Sequence, residues 1–192
     1  MPHQKIIRLI AGLVNIDQFD RRIIRETFEP VSYARGQVLL EAGEVARYMY
    51  FINSGYLRLY YIDQEGKEVT SHINCPMDFM TSFNSYIGQR PSYETFECIT
   101  DCELLRIRHQ ELESLLQHNQ RWAAFGKIVY EEVIKYNEQK AKDLVSLTAR
   151  QRYLNLLQRF PDIIRHVPLQ YIASFIGIKP ESLSRIRREI IT

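Results

Sequence analysis

The hydrophobic positions of this 192-residue chain change their period several times along its length. Over residues 16–27 they recur at helical spacing, with Ile16, Phe19, Ile23, Ile24 and then Phe28 on one stripe that Pro30 ends. From Val31 to about Arg108 the helical period is gone. Short runs rich in Val, Ile, Tyr, Phe and Thr follow one another at 48–52, 56–62, 69–73, 93–99 and 103–108, punctuated by Gly36, Gly43, Gly55 and Gly66. These runs predict strands, because branched and aromatic side chains fit a pleated, half-buried surface. Asp63-Gln64-Glu65-Gly66 predicts a hairpin turn between two of them, with glycine where φ must be positive. Many short strands at regular spacing predict a small antiparallel barrel or roll.

The helical period returns at 109–117 and then in a long run from 120 to about 147. There Trp122, Phe125, Val129, Val133, Tyr136, Lys140, Leu144 and Leu147 mark one seam in steps of three and four. A helix of that length is expected to exceed what a small roll can cover. The seam therefore predicts a coiled coil with a second copy of the chain, with Trp122, Phe125, Val129, Val133 and Tyr136 at the dimer interface. The other reading is a helix lying along its own domain, since Lys140 and the polar stretch 137–143 weaken the heptads.

Thr148-Ala149-Arg150-Gln151 is a capping box, so a fresh helix starts at 149 and a hinge falls near 147–148. That helix ends at Pro161. Residues 168–191 then read as two short helices around a tight turn. Leu169, Ile172, Ala173 and Ile176 form the stripe of the first, and Gly177 stops it. Pro180 starts the second, with Leu183, Ile186 and Ile190 inward. At about 100° per residue, Glu181, Arg185 and Arg188 share the opposite face. This is the spacing of a helix-turn-helix, and it makes Glu181, Ser182, Ser184, Arg185 and Arg188 candidates for bases and phosphates in a major groove.

Charge sharpens that reading. The overall net charge is +2, but residues 147–192 hold eight Lys and Arg against three Asp and Glu. The basic excess sits in the segment with the helix pair, as phosphate binding requires. Cys75, Cys98 and Cys102 are sparse and lack metal-ligand spacing, so they read as buried thiols in a reducing compartment. With no long apolar run and no signal-peptide pattern, a cytoplasmic location is expected. The five histidines are scattered, with no pair set to hold a metal, and no nucleophile–base set or phosphate loop is visible. His72 lies in a strand pattern and reads as structural. The chain is not expected to be an enzyme or to need a resident cofactor.

Roll, long helix and helix-turn-helix in this order resemble the Crp/Fnr family of bacterial transcription regulators. The resemblance rests on Gly43, Gly55 and Gly66, the DQEGKE hairpin, Met77-Asp78-Phe79, and PESLSRIRRE near the end. It implies an α+β chain divided into a cyclic-nucleotide-binding-like β-roll at 1–118, a dimerisation helix at 119–147 and an all-α helix-turn-helix unit at 148–192. It also implies a homodimer on two-fold symmetric double-stranded DNA, Glu181 and Arg185 as base-reading residues, and RNA polymerase as a further partner. Two departures follow. Where nucleotide-binding members carry a Gly-Glu and an Arg-Ser pair for the ribose and cyclic phosphate, this chain has Thr81-Ser82 and Ser92-Tyr93, with Arg90 two residues off. Cyclic AMP is therefore not the expected effector, and Thr81, Ser82, Arg90, Ser92 and Tyr93 stand as the candidate ligand residues. The family's β-hairpin wing has no counterpart after the second helix, which implies fewer phosphate contacts and weaker DNA binding. The competing function is a ligand-binding sensor whose C-terminal helices hold a protein partner and not DNA.

Overall fold

The computed structural model describes residues 1–191. Thr192, the last residue of the expected DNA-binding unit, lies outside them. Two helices come first, α1 (Gln4–Leu13) and α2 (Gln18–Thr27). Strands β1 (Glu29–Tyr33), β2 (Val38–Leu40), β3 (Tyr48–Ser54), β4 (Leu57–Ile62), β5 (Glu68–Asn74) and β6 (Phe79–Met80) follow. Helix α3 (Phe83–Gly88) separates them from β7 (Thr95–Cys98) and β8 (Cys102–Arg108). The helical half holds α4 (His109–His118), α5 (Gln120–Ser146), α6 (Ala149–Arg159), α7 (Ile163–His166), α8 (Leu169–Phe175) and α9 (Pro180–Ile191).

The strands form two four-stranded antiparallel sheets, in orders β1-β8-β3-β6 and β2-β7-β4-β5. Phe51, Ile52, Leu57, Phe96, Leu104 and Leu105 are all buried in the core that these sheets share with the helices packed on them. The predicted α+β architecture of roll, long helix and helix-turn-helix is the one observed. Gly55 marks why the roll closes so tightly. Its φ is +95°, and a Cβ there would lie 2.5 Å from both the Asp101 carbonyl oxygen and the Cys102 sulfur. Only glycine fits that turn between β3 and β4.

Several short elements escaped the periodicity. β1, β2 and β6 are five, three and two residues long, too short for an alternation to show. Helix α1 lies where only an apolar patch was evident, yet Ile6, Ile7 and Ile10 are buried against the roll. The three cysteines are buried free thiols.

The long helix needs a correction. Trp122 and Phe125, expected at a dimer interface, are 2% and 4% exposed within the single chain. Trp122 stacks on Phe28 at 6.3 Å, and Phe125 meets Phe79 edge-on at 5.6 Å. Val129 packs on the same roll core, and Tyr136 on the core of the C-terminal unit. The seam is therefore shared between the chain's own two halves, which together cover a length that the roll alone does not. What α5 leaves in solvent is the opposite stripe. There Ile134 is 57% exposed and Val145 90%, with Ala123 and Ala141 on the same face.

The helix break is where the capping box placed it. Leu147 is extended, Thr148 caps the Gln151 N–H at 3.3 Å, and Gln151 accepts from the Thr148 N–H at 2.9 Å. Arg152 then ties the joint together, donating to the carbonyls of Leu147 at 2.6 Å and Ile176 at 2.8 Å. Both carbonyls close helix ends and would otherwise go unbonded.

Candidate functional site

The helix pair α8–α9 is built as its sequence required. Gly177 adopts φ +70°, and the Ile178 N–H reaches back to the Ala173 carbonyl at 3.0 Å, closing α8. Ile172, Ala173, Ile176, Leu183 and Ile186 are buried together and lock the crossing. Glu181, Arg185 and Arg188 are exposed along one face of α9, and Ser182 and Ser184 are half-buried on its flanks. Pro168 caps α8 from outside its first turn and is not part of the helix.

A second site lies under α5. A cavity of about 630 Å³ opens between that helix and the face of β4 and β5. Thr81 and Tyr93, two of the candidate ligand residues, line it, together with Ser71, His72, Phe83, Val133 and Tyr136. Ser82 and Ser92 are buried just behind, and the Ser92 hydroxyl donates to that of Ser82 at 3.0 Å. Thr81 is turned away, donating to the Tyr48 carbonyl at 2.9 Å. Arg90 needs a correction. It is exposed, lies along Gly88, and does not line the cavity, so it does not stand in for the missing phosphate anchor.

The residue that sequence reasoning missed is Glu94. It is 5% exposed and lines the cavity. Its carboxylate accepts from the hydroxyls of Ser71 and of Ser82, the latter at 3.3 Å. The signal was in the alternation running into β7, where Glu94, Phe96 and Cys98 are all buried. A carboxylate on the buried face of a strand is out of place unless it has a task.

The cavity and the helix pair touch through β5. Lys140, on α5, donates to the Ser71 carbonyl and lies 4.2 Å above the Phe175 ring of α8. The Thr70 N–H donates to the Ser174 hydroxyl of α8 at 2.9 Å. On β4 the buried Arg58 pairs with Glu97 at 2.6 Å and Glu68 at 2.7 Å. Its guanidinium is held between the rings of Tyr60 at 4.0 Å and Tyr171 at 3.7 Å. His72 bonds Asn137 of α5 at 3.1 Å, and burial, with the Lys140 charge, pushes its imidazole below its ordinary range.

Burial also lowers the Lys140 ammonium from 10.5 to about 8. Below about pH 8 the lysine is charged in both folded and unfolded chains, and the folded state bears the full desolvation penalty. Between about 8 and 10.5 the folded chain has lost the proton while the unfolded chain keeps it, so stability rises with pH. Lys140→Met has no such group. In urea titrations the wild type should gain on Lys140→Met by roughly 3 kcal/mol across that window. A gap that stays constant with pH would mean that the ammonium is well solvated.

Compared with known proteins, residues 30–119 match the cyclic nucleotide-binding domain family. No curated protein matches the sequence. Among solved structures, FixK2 of Bradyrhizobium japonicum superposes with a TM-score of 0.74 at 18% identity, over 85% of this chain and 84% of that one. The c-di-GMP responsive global regulator CLP of Xanthomonas campestris gives 0.63 at 17%, over 91% and 92%. The catabolite activator protein of Thermus thermophilus gives 0.55 at 19%, over 95% and 86%.

Proposed function

We propose that this chain, whose fold is that of the Crp/Fnr regulators, is a homodimeric transcription regulator that reads double-stranded DNA through α9 and senses a small molecule in the cavity under α5. The observation that carries the DNA reading is the α8–α9 unit. Its turn is locked by Gly177 and a buried apolar set, and it offers an exposed carboxylate and exposed arginines on one helix face. The basic excess of residues 147–192 adds the electrostatic attraction that phosphate binding needs.

The second copy sits on the solvent stripe of α5, where Ile134, Ala141 and Val145 lie near the charges of Lys127, Glu131 and Glu138. Two such helices side by side would bury the apolar stripe and place the two α9 helices for adjacent major-groove turns. Cyclic AMP is not the effector, because the cavity buries Glu94, while its arginine, Arg159, is exposed and lies over the Tyr136 ring, leaving a cyclic phosphate no buried cation. Occupancy of the cavity acts on the DNA-binding unit through β5, whose Ser71 lines the cavity and receives Lys140 and whose Thr70 meets Ser174 of α8. RNA polymerase is the partner through which a promoter-bound dimer would act.

Selection of random duplex DNA with the full-length protein tests the reading. The expected product is an inverted repeat with half-sites about one helical turn apart. Its affinity should fall steeply with salt. Failure to enrich any duplex would leave the other reading, a sensor whose C-terminal helices hold a protein partner.

A further inference from the structure

The charged groups around the cavity do not contribute equally. Glu132 is paired with Lys135 at 2.9 Å. Asp78 accepts from the Asn74 amide at 2.7 Å, and Arg159 lies over the Tyr136 ring at 4.6 Å. Lys140 is committed to the Ser71 carbonyl and the Phe175 ring, and His72 to Asn137 and Ser71. That leaves Glu94. Among the described residues it forms no ion pair, and its side-chain donors are the two serine hydroxyls. A carboxylate offers about four lone-pair sites, so two stay open for a ligand.

The walls above Glu94 are aromatic and aliphatic: Tyr93, Phe83, Tyr136, Val133 and Leu59. Tyr93 is 59% exposed at the mouth, with Tyr61 edge-on at 6.1 Å. A pocket with an apolar body and one buried anion is complementary to a ligand with an apolar body and one cation. A phosphate placed there would face the carboxylate instead, two like charges in a dry site.

We propose that the cavity under α5 binds a small organic amine, its ammonium on the Glu94 carboxylate and its aromatic or aliphatic body against Tyr93, Phe83 and Val133. The assignment deepens the reading of the cavity as an effector site and rests on it. The ammonium supplies what Glu94 lacks, a cationic partner, and Ser71 and Ser82 hold the carboxylate in place for it. Because Ser71 also receives Lys140 through its carbonyl, two hydrogen bonds link Glu94 to Lys140 of α5, whose ammonium lies on the Phe175 ring of α8.

Calorimetry on the full-length protein with matched probes tests the proposal. The amines are tyramine, phenethylamine and tryptamine. The anion of matched shape is 4-hydroxyphenylacetate, with cyclic AMP beside it. At least one amine should bind at one site per protomer, and the anion and cyclic AMP should give no heat. Glu94→Gln should weaken the amine about tenfold or more, as loss of a charge-assisted contact does. Val133→Trp, which fills the cavity and leaves the charge alone, should abolish binding, and it carries the test if Glu94→Gln does not fold. The proposal is overturned if no amine binds, if the anion or cyclic AMP binds more tightly than the amines, or if the affinity is indifferent to both substitutions. Amine binding without DNA selection would keep this site and remove the regulator. DNA selection without amine binding would do the reverse.

Discussion

Ile134→Glu leaves the protein folded and monomeric, whereas Trp122→Ala leaves the folded protein dimeric but about 3–5 kcal/mol less stable. The two residues sit on opposite sides of α5. Trp122 is 2% exposed, stacked on Phe28 and edge-on to Phe125 at 6.0 Å, inside the roll core. Its truncation opens a cavity that the two sheets and α2 cannot fill, which is the costly kind of core change. Ile134 is 57% exposed in the single chain, so a charge there costs the folded protomer little. In the dimer the two-fold axis would bring the glutamate near its own copy, beside Glu131 and Glu138, in a desolvated seam. Sedimentation at fixed protein concentration separates the outcomes, since dimer stability depends on concentration. A monomeric wild type, or a dimeric Ile134→Glu, would remove α5's solvent stripe as the interface.

That reversal shows what an amphipathic period can tell. The seam was legible, and from Trp122 to Lys140 it is the covered face, while Leu144 beyond is 42% exposed. A period of three and four names the face that avoids water and says nothing of what covers it. Intramolecular packing and coiled coils draw on the same spacing. The partner was set by the C-terminal unit folding back, through Arg58 on Tyr171 and Thr70 on Ser174, and those contacts join residues about 100 positions apart. The helix-turn-helix was legible because its signals are local: Thr148 and Gln151, Gly177, Pro180, each with a cap or turn geometry of its own. The ligand site was half legible. Ser82 and Ser92 were found at their positions, yet what they surround is Glu94, one residue beyond the span that the resemblance marked.

Arg185→Ala flattens sequence preference at one base of each half-site, and Arg188→Ala weakens all sequences alike. Arg185 lies mid-way along the exposed face of α9, opposite the buried Leu183 and Ile186. From there a guanidinium reaches deepest into a major groove and can bond guanine O6 and N7 together, worth about 1–3 kcal/mol against a wrong base. Glu181, one turn earlier, is placed to accept from a cytosine amino group on the other strand. Arg188 is one turn farther on, nearer the groove edge, where a phosphate is the geometric partner. A phosphate contact carries no sequence information, so its loss is uniform and lowers the salt slope by roughly one ion per half-site. Selections with wild type and both variants, repeated across a salt series, read both effects at once. Unchanged base preference in Arg185→Ala would take that residue out of recognition. A shifted preference in Arg188→Ala would move the reading position one turn along α9.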